Sequence, residues 1–313
     1  MNYRTTLPRL SKLRVRHLAL LEIVAEGGSL RQAANVLSVT QPAVTAMLQE
    51  LESLLDVKLV DRDQQGARLT PAGDAVRERL RLVLNALRGV EATLLTTPPR
   101  AHLRVGALSF AMLELMPKAL ATLRQTRPDM TFEFVEGTVE EMVAGVATGD
   151  FDCALGRLGS ELHALQESDI EFKAIFNVPM KIACARNHPI RKRAHVTLEA
   201  LQQEAWILLP PGTGSRWAFE QAFTQKGLIP PFPVVESMSF ASNFHLAAAT
   251  RLLTISTATA VEKYCRYGIV SEVAIRWPAG LGPLMFFARK DALELESVQA
   301  LYQCIERHAK ELL

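Results

Sequence analysis

The stretch from Ser29 to Gly73 constrains the fold more than any other part of the chain, because it has the pattern of two short helices, a tight corner and a hairpin. Ser29, with Gln32 three residues later, fits a capping box at a helix start. Thr40 can cap a second helix that carries Pro42 in its first turn, where a missing N–H costs little. Helices joined by so short a turn predict a helix-turn-helix, whose second helix can enter the DNA major groove.

The face of the second helix that its apolar residues leave over carries small, hydroxyl and amide side chains. These residues are Gln41, Ala43, Thr45, Ala46 and Gln49. Glutamine can pair with base edges, and threonine and alanine methyl groups can meet thymine methyls. A solvated helix face in any small helical domain has the same composition, so the helix pair alone leaves both interpretations open.

Two short apolar runs then bracket the loop DRDQQG, which predicts a two-stranded wing with Gly66 in its turn. Arg62 and Arg68 lie where a wing meets phosphate or the minor groove. The alternative for both arginines is a surface ion pair with Asp61 or Asp63.

A long helix is predicted to follow, with Pro71 in its first turn. Its apolar residues recur in alternating steps of four and three, and they are Val76, Leu80, Val83, Leu87, Val90 and Leu94. This is a heptad seam, and a seam this narrow favours a partner helix over a globular core. The sequence therefore predicts a dimer through this helix, with packing against the chain's own C-terminal part as the alternative.

The letters AxxGSLRQAANVLSVTQPAVTAMLQELE, followed by LxDR and LTPAG, resemble the N-terminal domain of LysR-type transcriptional regulators. The resemblance implies contacts with double-stranded DNA at Arg31, Thr40, Gln41, Pro42, Thr45, Gln49, Arg62 and Arg68. It implies an α/β chain with an N-terminal all-α part. Its parts are a winged helix-turn-helix domain at 11–70, a dimerising linker helix at 71–96, a hinge at 97–101 and an effector-binding domain at 102–313.

From residue 102 onward, short apolar runs alternate with helical segments, which indicates α/β structure with largely parallel sheets. The resemblance implies two α/β subdomains similar to a periplasmic-binding-protein fold. Subdomain I would comprise 102–171 and 277–313, and subdomain II 172–276, with crossings near Ile170–Phe176 and Ala274–Pro283. The segment AAATRLLTIS replaces a glycine-rich turn that is common late in the family.

Polar clusters follow predicted strands in this region. Ser109 follows the first strand, Thr138 the second, and the turn Gly212–Ser215 the run AWILLPP. Amides at helix N-termini favour anions, and Arg157 adds a possible clamp for a carboxylate or phosphate. The alternatives are ordinary helix caps for Thr138 and Ser215 and a structural ion pair for Arg157.

The resemblance places effector contacts at positions matching Ser109, Thr138 and Thr213. The further candidates are Phe110, Arg157, Gly212, Ser215 and Phe240. The expected effector is a small anion such as a carboxylate, a sugar acid or an intermediate of aromatic catabolism. Other expected partners are RNA polymerase and further copies of the chain, first as a homodimer and then as a tetramer.

Composition narrows the remaining possibilities. The 313 residues are 49% hydrophobic and 22% charged, as in ordinary globular proteins of about two domains. No apolar run approaches the length of a signal peptide core or a membrane span. The four cysteines are widely spaced, so we expect reduced thiols in a cytoplasmic protein, with no disulfide, no metal site and no cofactor.

An enzyme and an architectural DNA binder are the two competing functions. The chain lacks HExxH, GxSxG and GxGxxG. Cys153 and His163 could form a nucleophile pair, but Cys153 lies within a predicted buried strand. A module of over 200 residues with a crevice is excessive for a purely architectural binder. We therefore expect a ligand-responsive DNA-binding regulator and not an enzyme.

Overall fold

The computed structural model describes residues 12–26, 29–63, 66–95, 100–157, 169–177, 179–193, 195–275, 277–278 and 282–311. The chain divides into two units. The N-terminal unit comprises Met1–Pro99 with Thr148–Asp150, and the C-terminal unit comprises Arg100–Ala147 with Phe151–Leu313.

The N-terminal unit has the predicted helix-turn-helix and wing. Its elements are α1 (Val15–Ala25), α2 (Leu30–Val36), α3 (Gln41–Leu55), β1 (Val60–Asp63), β2 (Gly66–Leu69) and α4 (Pro71–Leu94). The Ser29 and Thr40 hydroxyl oxygens accept hydrogen bonds from the backbone N–H of Gln32 and Ala43, at 3.1 and 3.4 Å. Ser38 adopts a left-handed φ of 53° at the corner between α2 and α3. Side-chain caps therefore fix the starts of both helices, and the left-handed Ser38 forms the corner between them.

The start of the hairpin is anchored to α3 by a side chain of that helix. The Glu52 carboxylate accepts the N–H groups of Leu59 and Val60 at 2.8 and 3.1 Å, and both of these residues are buried. They join the core that the apolar faces of α1, α2 and α3 form. This core positions the wing beside the second helix of the helix-turn-helix.

The start of α4 approaches the hairpin too closely for any side chain. A Cβ atom added to Gly73 would lie 2.1 Å from the Leu59 carbonyl oxygen. That oxygen also accepts the Thr70 N–H at 2.9 Å, and the Thr70 hydroxyl donates to the Lys58 carbonyl at 2.8 Å. The glycine of the LTPAG motif is thus required by backbone packing.

The predicted heptad seam divides into two parts. Val76 and Leu80 pack against the core of the N-terminal unit. The side chains farther along α4 are exposed, namely Val83 at 47%, Leu87 at 41%, Val90 at 58% and Leu94 at 65%. The second half of the seam is therefore the more exposed part, while the first half is half-buried against the domain core.

The C-terminal unit contains two five-stranded sheets. The first has the order β4-β3-β5-β12-β6 and comprises β3 (His102–Ala107), β4 (Thr131–Glu136), β5 (Cys153–Gly156), β6 (Ile170–Phe176) and β12 (Leu284–Arg289). The second has the order β11-β7-β10-β8-β9 and comprises β7 (Met180–Cys184), β8 (Trp206–Leu208), β9 (Val235–Glu236), β10 (Leu253–Thr257) and β11 (Ser271–Glu272).

Both sheets are mixed. Strands β3, β4 and β5 are parallel, and β12 runs antiparallel to its neighbours β5 and β6. In the second sheet β8 is parallel to β9 and β10, and β7 is antiparallel to β10 and β11. The whole of β6 pairs in the first sheet, so the chain crosses between Phe176 and Met180. The expected subdomain boundary at 171–172 falls inside this strand, and the structure places residues 172–176 with the first sheet.

Helices cover both faces of each sheet. They are α5 (Ser109–Glu114), α6 (Met116–Thr126), α7 (Val139–Thr148), α8 (Leu198–Gln202), α9 (Gly214–Thr224), α10 (Phe240–Ala249), α11 (Ala258–Arg266) and α12 (Glu296–Lys310). Residues of α5, α6 and α12 cover one face of the first sheet, and α7 covers the other. Residues of α9 cover one face of the second sheet, and α10 and α11 the other.

Candidate functional site

Strand ends from both sheets and the starts of several helices converge on one cavity of the C-terminal unit, with a volume of about 50 Å³. Its lining residues are Leu108, Ser109, Phe110, Gly137, Thr138, Val139, Arg157, Leu209, Thr213, Gly214, Ser215, Met238, Phe240 and Thr257. They include every effector candidate from the sequence except Gly212, which lies in the adjoining turn with a φ of +85°.

The fold explains why distant residues meet here. Ser109 opens α5 shortly after β3 ends, Thr138 lies between β4 and α7, and Thr213 lies between β8 and α9. Phe240 opens α10, and Thr257 ends β10 immediately before α11. In α/β sheets, ligands bind in the crevice outside the carboxyl ends of the strands. The five residues mark that crevice.

Arg157 follows the buried strand β5 and is only 5% exposed. Its Nη1 donates to the Gly282 carbonyl at 2.8 Å, and its guanidinium carbon lies 5.3 Å from the centroid of the Phe110 ring. Its Nη2 has no hydrogen-bond partner within the part of the chain that the structure describes. Burial lowers the pKa of Arg157 to about 10, which leaves the group cationic at neutral pH. Arg157 is therefore a buried cation with an unused donor, and it is one of the residues that line the cavity.

The hydroxyl protons of Thr213 and Ser109 are already engaged. Thr213 donates its hydroxyl to the Pro210 carbonyl at 2.9 Å and accepts the Arg216 N–H at 3.3 Å. Ser109 donates to a carboxylate oxygen of Glu136 at 2.6 Å. Each bond uses the hydroxyl proton that an anionic ligand would need.

Thr138 forms a reciprocal cap with Glu141. Its hydroxyl accepts the Glu141 N–H at 3.3 Å, and its own N–H donates to the Glu141 carboxylate at 2.7 Å. The protein's own carboxylate thus occupies the start of α7, so Thr138 acts there as a helix cap.

The sequence did not single out five lining residues, namely Leu108, Val139, Leu209, Met238 and Thr257. Thr257 has the same kind of position as Ser109 and Thr138, since it lies where a strand ends and a helix begins. The four apolar side chains gave no such signal, because an apolar residue beside a strand end also suits the core.

The predicted DNA-contacting residues lie at the surface of the N-terminal unit. Gln41, Pro42 and Gln49 of α3 are exposed, as are Thr40 at its cap and Arg31 of α2, while Thr45 is half-buried.

Arg62 and Arg68 are exposed on the hairpin. The register places Arg68 opposite Asp61, and Asp61 pairs with the ammonium group of Lys58 at 2.6 Å. The side chain of Asp63 lies outside the described residues.

The described residues contain no group of three or more His, Cys, Asp or Glu side chains that could hold a metal ion. Cys153 is fully buried in β5, and burial raises the pKa of its thiol well above the usual value. The other member of the hypothetical nucleophile pair, His163, lies outside the described residues. Within the described ranges, none of the helices is both long enough and apolar enough to span a membrane.

Two family models match the chain. The model described as "Bacterial regulatory helix-turn-helix protein, lysR family" matches residues 15–74, and "LysR substrate binding domain" matches residues 96–310. The chain is 30% identical over 232 residues to the transcriptional regulator CbbR of Xanthobacter flavus, covering 73% of this chain and 67% of that protein. It is 26% identical over 284 residues to GbpR of Azospirillum brasilense, covering 90% and 82%.

A solved structure shows the same fold over nearly the whole length. A point variant of full-length OxyR from Pseudomonas aeruginosa aligns with a TM-score of 0.64 at 21% identity, covering 94% of each chain.

A winged helix-turn-helix joined to a two-sheet ligand-binding unit defines a ligand-responsive transcriptional regulator. The chain belongs to the LysR family, with a DNA-binding helix-turn-helix and a domain that binds a small-molecule effector. Its domains and relatives are those of transcription regulators and not of enzymes. Regulators of this family bind DNA and form oligomers.

Proposed function

We propose that the effector is a small anion bound between the two sheets, with its acidic group against Arg157. A carboxylate, a sugar acid or an intermediate of aromatic catabolism has this chemistry. The unused Nη2 donor of the buried guanidinium carries the proposal. A buried donor without an acceptor costs about 1–3 kcal/mol, and an anionic oxygen would remove that cost through a charge-assisted hydrogen bond.

The surrounding residues have supporting roles in this proposal. Thr213 fixes the turn from Gly212 to Ser215 at the start of α9, and the N-terminal end of that helix favours negative charge. Phe110 holds the guanidinium by a cation–π contact, and Phe240 forms an apolar wall. Ser109 and Thr138 shape the cavity while their hydroxyl groups are engaged.

A thermal-shift screen of small organic acids with the full-length protein tests the proposal. Acids that fit should raise the melting temperature, since a ligand that binds only the folded state stabilises it by mass action. The same acids should change the affinity for operator DNA. Neutral amides of the same acids are the matched controls. Equal stabilisation by acid and amide would contradict an anion site.

We further propose that α3 reads base edges through Gln41, Thr45 and Gln49, because these side chains share its outer face. Arg62 and Arg68 on the wing contact phosphate or the minor groove. The remaining candidates Arg31, Thr40 and Pro42 lie on or before the first turns of the two helices and approach the DNA backbone.

The oligomer is proposed to use two surfaces. The exposed half of the α4 seam, from Val83 to Leu94, suits a dimer of linker helices. A tetramer through the effector domains is supported by an exposed apolar edge beside β9, where Ile229 is 78%, Phe232 87% and Val234 65% exposed.

We also propose the following division of the chain: a winged helix-turn-helix domain at 11–70, a linker helix at 71–96, a hinge at 97–101 and an effector-binding domain at 102–313. The protein would act in the cytoplasm, where it meets its operator, and contact RNA polymerase bound at the promoter.

A further inference from the structure

A second, open groove adjoins the inner cavity. It has a volume of about 450 Å³ and shares Ser109, Gly137, Met238 and Phe240 with the cavity that contains Arg157. A water molecule needs roughly 10–15 Å³, so an inner volume of about 50 Å³ accommodates an acidic group but not a whole metabolite. The rest of a ligand anchored at Arg157 would therefore extend into the outer groove.

The two chambers differ in charge. Arg157 is the one ionisable residue among the described residues that line the inner cavity. Glu136, at the end of β4, is the one ionisable residue among the described residues that line the outer groove. Two further charged groups lie beside outer-groove residues. The Glu141 carboxylate lies next to Gly137 and accepts the Thr138 N–H at 2.7 Å, which adds to the negative charge. Lys263 contacts the Leu113 carbonyl, and Glu114 neutralises that ammonium group at 3.4 Å. The combined site thus has one positive end and one negative end.

The hydrogen bond to Ser109 fixes the orientation of this negative end. Glu136 accepts the Ser109 hydroxyl proton at 2.6 Å, so the pair presents only acceptors to the groove, namely the carboxylate oxygens and the serine oxygen. Acceptors favour a ligand hydroxyl or ammonium group and disfavour a second carboxylate.

We propose that the effector is a monoanion with a hydroxyl or ammonium group at its far end, and that Glu136 determines this specificity by rejecting dianions. The proposal rests on the anion site at Arg157. Glu136 is exposed, so water screens its charge. Coulomb's law for two unit charges roughly 6 Å apart in a mostly aqueous dielectric gives about three- to tenfold discrimination.

Calorimetry on the full-length protein tests this with two series of acids of matched skeleton. The first is butanoate, 4-hydroxybutanoate, 4-aminobutanoate and succinate. The second is benzoate, 4-hydroxybenzoate, 4-(aminomethyl)benzoate and terephthalate. The variant Glu136→Gln keeps an acceptor for Ser109 but removes the charge. Glu140→Gln, which neutralises an exposed carboxylate outside both linings, is the control.

The wild type and Glu140→Gln should bind the hydroxy and amino acids more tightly than the diacid of the same series. Glu136→Gln should reduce that preference by about three- to tenfold. Binding of the acids with the same preference in Glu136→Gln and wild type would refute the role of Glu136 and leave the anion site intact. Failure of the wild type to bind any of the eight acids would contradict the anion site itself, and this inference with it.

Discussion

The substitution of alanine at the two glycines of α4 should have opposite effects on stability. At Gly73 the added Cβ would lie 2.1 Å from the Leu59 carbonyl oxygen, far inside van der Waals contact, and the neighbouring atoms are backbone. At Gly89, in the same helix, nothing lies within 4 Å of the added atom. The same chemical change therefore separates backbone packing from helix propensity.

The magnitudes follow from these two environments. Alanine gains about 1 kcal/mol over glycine within a helix, and Gly89→Ala should realise most of that gain. Gly73→Ala should lose roughly 1–3 kcal/mol by overpacking and about 1 kcal/mol more because the Thr70–Leu59 backbone hydrogen bond must lengthen. After the helix-propensity gain of about 1 kcal/mol is subtracted, the net loss is about 2 kcal/mol, or roughly 10 °C in the melting temperature of a domain this small.

Thermal unfolding of the full-length protein, followed by circular dichroism and by operator binding, measures both effects. Gly73→Ala should lower the melting temperature of the N-terminal unit, and Gly89→Ala should raise it slightly. A Gly73→Ala protein as stable as Gly89→Ala would show that the start of α4 can move away from the hairpin at no cost, and would refute the packing argument.

Two other predictions concern the N-terminal unit. Leu87→Asp places a carboxylate in the exposed half of the α4 seam, so sedimentation should show loss of the helix-mediated dimer, and operator binding should be lost with it. The control Glu91→Asp should keep both. An intact Leu87→Asp dimer would mean that another surface joins the subunits. Gln41→Ala should relax sequence preference by about 1–3 kcal/mol at one base pair, while Arg68→Ala should weaken binding to operator and random DNA alike and reduce its salt dependence. DNA titrations at several salt concentrations measure both effects. Unchanged specificity in Gln41→Ala together with an unchanged salt slope in Arg68→Ala would contradict the proposed docking.

The N-terminal elements could be predicted closely because their signals are local. Side-chain caps three residues from their partners and prolines in first turns mark helix starts without knowledge of the fold. The helices α5 and α8 and the strand β11 were not predicted, since six, five and two residues are too few to show periodicity. The heptad spacing gave the seam but not its division, because only tertiary contacts show that Val76 and Leu80 belong to the domain core.

The candidate effector site was located from sequence, but its chemistry was not. Ser109, Thr138 and Thr213 stand at strand ends that meet at one cavity, as the alternation of elements predicts. Their hydroxyl groups are nevertheless engaged in caps and in a bond to Glu136, which depends on rotamers that no motif specifies. The unused Nη2 donor of Arg157 is likewise visible only in three dimensions, since Nη1 of the same guanidinium donates to a carbonyl 125 residues away.

The anion site at Arg157 is tested most directly by calorimetry on the full-length protein. The measured quantity is the affinity of the Arg157→Met variant for an acid that stabilises the wild type. Methionine fills a similar volume without a charge, and loss of a hydrogen bond to a charged group costs about 1.5–3 kcal/mol, which weakens binding at least tenfold. Arg124→Met, on the exposed surface of α6, is the matched control and should bind as the wild type does. We expect a loss of tenfold or more in Arg157→Met alone, and equal affinity in all three proteins would contradict an anion site at Arg157.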